Sequence, residues 1–535
     1  MVRKGIISSI VVFALFILMT GPGFAQEWVA RQDGGGSGYD VAVGMAVDVR
    51  GNIYVTGYIN GGDYTDVLTV SYDSEGNKRW VRIYDAVGVW DAPYAITVDG
   101  RCNVFITGFS VGGLGNYCTI SYDSDGNERW VQRYDGAGSW GAGYAIAVDF
   151  SDNVYVTGDA YCTISYDRDG SERWVQRYDG PGNGWDTATA IAVDVSGNVY
   201  VTGINDGDGT DDDYCTISYD SDGNERWVQR YNGPGDGSDE ATAIAVDVSG
   251  NVYVTGKSYG GESSGNAYCT ISYDRDGNER WVQRYDGPGN GWDTATAIAV
   301  DVSGNVYITG KREGDWTGYD YCTISYDSDG NERWVQRYNG PGFGSDEATA
   351  IAVDVSGNVY VTGNSRGVGT FDDYCTVSYD SDGNERWVQR YDGPGNVGDG
   401  ATAIAVDFNG NIYVTGERFS DYCTIKYVGN PVKTLLEKAI TTIDDLDDDD
   451  FKSGLLRGIL LKRINSALST YEKGFTNIAL VQLKYDVIEK MDGCAKRGEP
   501  DTGLILYEND WLITCDAQNN LYPLIADVID ILDSL

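Results

Sequence analysis

The chain has 535 residues, with 81 acidic against 39 basic side chains, a net charge of −42 and no histidine. So acidic a surface repels phosphate backbones and argues against nucleic acid as a partner. The missing imidazole excludes Ser-His-Asp and Cys-His catalysis and histidine-ligated zinc, so any chemistry must rest on carboxylates, Tyr, Lys or Cys.

The first 25 residues read as a secretory signal peptide. Arg3 and Lys4 form a basic start, Ile6 to Met19 an apolar run, and Gly23-Phe24-Ala25 a small-residue cleavage site. A membrane anchor is the alternative, and the short run with its Gly21-Pro22-Gly23 break speaks against it. No later apolar run approaches the roughly 20 residues a membrane-spanning helix needs. The mature chain, with 37 basic residues and a net charge of −44, is expected outside the cytoplasm, secreted or at the cell surface.

A repeat array follows over residues 26–430. The string YDRDGNERWVQRYDGPGNGWDTATAIAVDVSGNVY at Tyr273–Tyr307 recurs at Tyr166–Tyr200 with Ser171 in place of Asn278. Its Trp-Val pair returns at Trp28, Trp80, Trp130, Trp174, Trp227, Trp281, Trp334 and Trp387, at spacings of 44 to 54 residues. Within one copy, AIAVD, NVYVTG, YCTISYD and WVQRY are short alternating or β-branched runs, separated by SGN, a variable loop, and DSDGN. Four strands per copy of about 50 residues make the blade of a β-propeller. Small side chains suit the crowded axis and bulky ones the rim, so AIAVD is innermost and WVQRY outermost. The Gly- and Pro-rich DGPGNGWDTAT then crosses to the next blade. The array opens on an outer strand at Trp28 to Gln32 and closes on a third strand at Tyr422 to Val428. These two are expected to pair and close an eight-bladed ring, leaving no free sheet edge.

AIAVDVSGNVYVTG followed by YCTISYDSDGNERW resembles the bacterial and archaeal β-propeller repeat family called SBBP. The resemblance implies the fold and a secreted or cell-surface module without a shared active site. It also implies seven blades, whereas this chain carries eight copies.

From residue 431 to 535 the pattern turns helical. Leu435, Leu436, Ala439, Ile440 and Ile443 recur at helical spacing, as do residues from Leu455 to Tyr471, Ile478 to Met491 and Leu524 to Leu532. Asp447 to Asp450 suit the start of the second helix. The segment resembles the small FIMAH-like helical domain of secreted microbial proteins. The fold class is therefore all-β, an eight-bladed propeller of four-stranded blades closed by the N-terminal strand, plus a small C-terminal α-helical domain.

Seven cysteines, Cys118, Cys162, Cys215, Cys269, Cys322, Cys375 and Cys423, occupy one repeat position that Leu68 fills in the first copy. They read as small core residues. Cys102 falls in a hairpin turn and is expected to be unpaired, whereas Cys494 and Cys515 flank a loop in a secreted chain and suit a disulfide.

Function is expected on the face that carries the crossings and the loops after Thr-Gly, because that is where the copies differ. Trp90, Trp140, Trp185, Trp292 and Trp316 fall there. Trp185 and Trp292 stand beside Asp186 and Asp293, a pairing suited to stacking on a sugar ring while carboxylates bond hydroxyls. The competing reading makes the two Trp plugs between blades. The Asp-x-Asp-Gly-Asn turns, with Asp123 and Asp125, Asp220 and Asp222, and Asp327 and Asp329, suggest calcium as a cofactor. The same residues equally suit a tight hairpin. The eight Asp that end AIAVD are expected to cap the following turn.

These features point to a non-enzymatic, monomeric binding scaffold whose partner is a glycan or an envelope protein. The alternative is a carboxylate-based glycan hydrolase or lyase, for which Asp239-Glu240 and Asp346-Glu347 are the recurrent acidic pairs.

Overall fold

A computed structural model of the protein describes residues 25–428 and 454–472, with isolated positions between 436 and 525. The loop stretches 35–38, 61–63, 87–88, 112–115, 136–140, 183, 208–210, 236, 262–264, 288–290, 315–317, 396 and 419–420 lie outside the described residues. So do the proposed signal peptide up to residue 24, Asp447 to Asp450, and Cys494 with Cys515.

Residues 25–429 form one compact unit, an eight-bladed β-propeller of four-stranded antiparallel sheets. The fourth blade shows how the sequence builds each. Its strands are Thr187–Val193, Val199–Asp206, Asp212–Tyr219 and Glu225–Tyr231, hydrogen-bonded in chain order from the axis outward. The third strand, DDYCTISY, is buried on both faces after its first residue, because neighbouring blades cover both sides of the sheet. That explains why Cys215 and its equivalents are small, buried and free. The inner strands stay half-buried around the axis, where only small side chains fit.

The two short turns are locked by aspartate. Asp194 Oδ1 accepts the N–H groups of Ser196 and Asn198 at 2.9 and 2.8 Å, and its Oδ2 accepts Asn198 Nδ2 and Tyr200 OH at 2.7 and 3.0 Å. The expected capping role thus holds, and equivalent bonds recur at Asp48, Asp301 and Asp407. In the outer turn, Asp220 Oδ1 accepts the N–H groups of Asp222 and Asn224, and its Oδ2 accepts Asn224 Nδ2, at 2.9 to 3.0 Å.

This outer turn also latches blade to blade. In seven of the eight blades the Trp of the outer strand lies on the glycine of the next blade's turn; the ring closure leaves Trp387 without such a turn. Trp174 donates from Nε1 to Ser221 O at 3.0 Å, and a Cβ on Gly223, at φ +86°, would meet its ring at 2.7 Å. Trp227 sits between Tyr200 of its own blade and Tyr273 of the next, with ring centroids 5.9 and 5.7 Å apart. Such contacts add about 0.5–1.5 kcal/mol per pair beyond burial.

The ring closes as expected. The first strand, Ala25–Gln32, pairs antiparallel with Asp421–Val428, placing Trp28 opposite Lys426 and Gln32 opposite Tyr422. Elsewhere the outer strand carries Arg before its Trp and the third strand carries Ser. Arg226 thus bonds Ser218 Oγ at 3.1 Å and reaches the next blade's turn at Arg275 O, 2.9 Å away. At the closure the charges change places. Glu27 precedes Trp28, and buried Lys426 takes the third-strand position. Lys426 Nζ bonds Glu27 at 2.6 Å and the next turn at Ser74 O at 2.9 Å. Eight sheets correct the seven blades that the family resemblance implied.

In the C-terminal unit, Gly454–Glu472 form a helix where Leu455 to Tyr471 were expected. Leu460, Ile464 and Ala467 are fully buried along one stripe, as are Leu436, Ala439 and Ile443, and Ala479, Leu483 and Val487. No helix among the described residues is long and apolar enough to cross a membrane.

Candidate functional site

The crossings and the loops after Thr-Gly share one end of the propeller, because each blade alternates short and long connections. Near the end of each of seven crossings stands a buried aspartate: Asp40, Asp91, Asp186, Asp239, Asp293, Asp346 and Asp399. Asp186 Oδ2 accepts the Gly180 N–H at 2.7 Å, and its Oδ1 accepts the Asp206 N–H at 3.1 Å and Asn205 Nδ2 at 2.5 Å. Asp293 does the same with Gly287 at 2.9 Å and Glu313 at 3.0 Å. Five of the seven anchors thus tie the start of the crossing to the second strand of the blade it enters.

Asp186 and Asp293, expected among the ligand-binding residues, stand here as buried anchors of their loops. Asp293 is only 1% exposed, and both carboxylates already accept bonds from their own loops. Burial pushes the carboxyl pKa of Asp239 and Asp293 above the ordinary range, against the backbone N–H groups that lower it.

The anchor instead turns its neighbour outward. Trp185 is 89% exposed, Trp292 58%, Trp90 52% and Tyr39 68%, and each immediately precedes an anchor Asp. Trp185 and Trp292 are therefore surface residues, not plugs between blades. Trp140 and Trp316 lie outside the described residues.

A second aromatic group was missed. At the bulge of the inner strand, five blades carry Thr. Each Thr donates to a carbonyl of the next inner strand, as Thr189 does to Ala241 O at 2.7 Å and Thr402 to Ala42 O at 2.8 Å across the closure. In the second and third blades this position holds Tyr94 and Tyr144. Their rings meet edge-on at 5.1 Å, and Tyr94 stacks on Phe109 at 5.9 Å while remaining 42% exposed. Tyr144 OH bonds Asp159 Oδ2 at 3.2 Å, in the copy whose loop shrinks to Asp159-Ala160. The signal was present in the sequence as a break in the Thr column.

Charges occupy the same rim elsewhere. Lys257 pairs with Glu240 at 2.8 Å, and Lys311 with Glu347 at 3.0 Å. The acidic pairs are thereby separated, since Asp239 and Asp346 are fully buried while their neighbours face outward into ion pairs.

At the opposite end, Asp123, Asp220 and Asp327 bond within their own turns, and Asp222 and Asp329 approach Arg173 and Arg280 of the preceding blades at 4.0 and 3.8 Å. Asp125 likewise faces Arg79 at 3.9 Å. The three-carboxylate groups among the described residues lie elsewhere, at Asp33, Asp40 and Asp421 and at Asp66, Asp85 and Asp91.

Three segments, residues 28–65, 226–261 and 333–368, match the family described as Beta-propeller repeat (SBBP). No curated protein matches the chain. Among solved structures, the chain is similar to the Dos1 propeller, with 11% identity and a TM-score of 0.50 over 75% of this chain and 95% of that one. It is also similar to Sqt1 from Chaetomium thermophilum, with 12% identity and a TM-score of 0.49 over 75% and 99% of the two chains. These likenesses concern the fold alone.

Proposed function

We propose that the protein is a secreted or cell-surface binding scaffold that takes a carbohydrate chain on its loop face. One observation carries this reading: exposed Tyr39, Trp90, Trp185 and Trp292 occupy the same position in four of the eight crossings, each presented by a buried Asp. A flat apolar ring recurring at four places around the loop face suits stacking on sugar faces. Tyr94, Tyr144 and Phe109 extend the aromatic surface to the channel mouth.

A hydrolase reading has less support. It needs two free carboxyl groups about 5 Å or 6.5–9.5 Å apart. The recurrent acids are buried or ion-paired. A glycan array with the mature protein tests the proposal. Binding to a defined set of polysaccharides is expected, weakened about tenfold or more by Trp185→Ala with Trp292→Ala at unchanged melting temperature. Retained binding by the double variant, or no binding to any glycan, removes the carbohydrate reading.

A further inference from the structure

Six of the seven anchor aspartates have a described residue 20 positions on, and one of these six breaks the bonding rule that the other five share. Asp40, Asp186, Asp239, Asp293 and Asp346 each accept a crossing N–H at one oxygen. At the other they accept the N–H of the residue 20 positions on, at 3.0 to 3.2 Å. Asp91 accepts the Ala86 N–H at Oδ2, 2.8 Å away. The N–H that should serve its Oδ1, that of Val111, is turned instead onto the Trp90 carbonyl at 3.0 Å. Asp91 is fully buried and no donor meets its Oδ1 in hydrogen-bond geometry, although the Ser110 hydroxyl and the Arg133 guanidinium stand close enough to favour its charged form. A buried carboxylate oxygen left in this state is costly.

Two more acids face it. Asp66 begins the third strand of the first blade, and Asp85 follows that blade's outer strand. One carboxylate oxygen from each of Asp66, Asp85 and Asp91 lies within 4.8 Å of the other two. A compensating cation exists at the matching place in the seventh blade, where Asp373, the counterpart of Asp66, pairs with Arg390 at 2.9 Å. In the first blade the residue at the Arg390 position is Ile83, which is 54% exposed. Three carboxylates thus converge where the chain has replaced its arginine with an apolar side chain.

We infer that the junction of the first and second blades binds a divalent cation of the calcium type through Asp66, Asp85 and Asp91. Oxygens on opposite sides of a calcium ion stand about 4.6–5.2 Å apart, against about 4.0–4.2 Å for magnesium. Three carboxylate oxygens within 4.8 Å of one another fit inside the calcium span, and water completes its 6 to 8 ligands. The ion adds a ligand partner for Asp91 and supplies to Asp66 the charge that Arg390 gives Asp373. Trp90 adjoins Asp91, so the ion also braces one of the exposed aromatics. Asp421, Asp33 and Asp40 occupy equivalent positions at the closure. There Asp40 has both its backbone donors, and Arg31 stands at the Ile83 position. That group serves as the internal control.

The test uses the mature full-length protein, stripped with EDTA and titrated with CaCl2 or MgCl2 by calorimetry, with melting followed in parallel. One saturable calcium site that raises the melting temperature is expected, with weaker binding of magnesium. Asp66→Asn should weaken calcium binding about tenfold or more. Ile83→Arg should abolish it while melting no lower than the calcium-free parent, because the arginine restores the compensation within the chain. Asp421→Asn should leave the affinity unchanged. Absence of saturable binding up to about 10 mM calcium overturns the inference. So does binding that survives both Asp66→Asn and Ile83→Arg, or binding lost only in Asp421→Asn.

Discussion

Single residues in this propeller act by serving two purposes at once. Gly223 has a left-handed backbone, at φ +86°, and leaves room for the Trp174 ring of the preceding blade. Gly223→Ala meets both constraints, the strained φ and a Cβ 2.7 Å from the indole. A loss of about 2–4 kcal/mol in denaturant unfolding is expected. Gly410→Ala has the same backbone strain, at φ +77°, but nothing within 4 Å, so it should cost only about 1–2 kcal/mol. A similar loss in both would show that the indole contact contributes nothing. Asp293→Ala leaves the Gly287 and Glu313 N–H groups without their acceptor, and should loosen the crossing that carries Trp292.

Among elements, the first strand decides closure. It must find one partner among eight similar third strands, and the exchanged charges identify it. Glu27 on this strand meets Lys426, the lone lysine at the third-strand position that otherwise carries serine. Glu27→Lys should therefore lower the melting temperature by several degrees through repulsion beside a buried ammonium. The double variant with Lys426→Glu should recover part of that loss, whereas additive losses would remove the ion pair as the cause. Deleting residues 26–33 exposes the edge of the last blade and removes Trp28 from Tyr72 and Tyr413, whose rings lie 6.1 and 6.2 Å away. That short deletion should lower the melting temperature far more than deletion of residues 432–535. Equal melting of the short deletion and the full chain would contradict the closure.

At the scale of the whole molecule, two sets of aspartates respond to acid in opposite directions. Burial raises the carboxyl pKa of Asp40, Asp239 and Asp293, so these groups take up protons more readily folded than unfolded and favour the fold as pH falls toward the ordinary value of 3.8. Asn side chains hold Asp220, Asp274 and Asp327 below that value, so their contribution is present above it and is lost as pH falls through their folded pKa. Protonation also relieves a net charge of −42. The melting temperature should therefore rise from pH 7 to about pH 4–5 and fall steeply below about pH 3.5. Thermal unfolding across pH 3–8 at constant ionic strength measures this, and a monotonic fall from pH 7 would contradict it.

The blade, its phase, the aspartate turns and the core role of the repeated cysteines could be read from the sequence, because each depends on residues within one copy of about 50 positions. Strand alternation, turn chemistry and side-chain size are properties of a short stretch of chain, and eight repetitions separate them from chance. Only the tertiary structure decided what the loop-face residues do. Asp186 and Trp185 are adjacent in an irregular crossing, where no periodicity says which side chain turns inward; the N–H of Asp206, on another strand, settles it. Asp66, Asp85 and Asp91 converge because a hairpin, an outer strand's end and the next blade's inner strand meet at one junction. Glu27 and Lys426 meet because the ring closes. Local pattern determines elements, whereas charge compensation and burial depend on which distant elements the closed ring brings together.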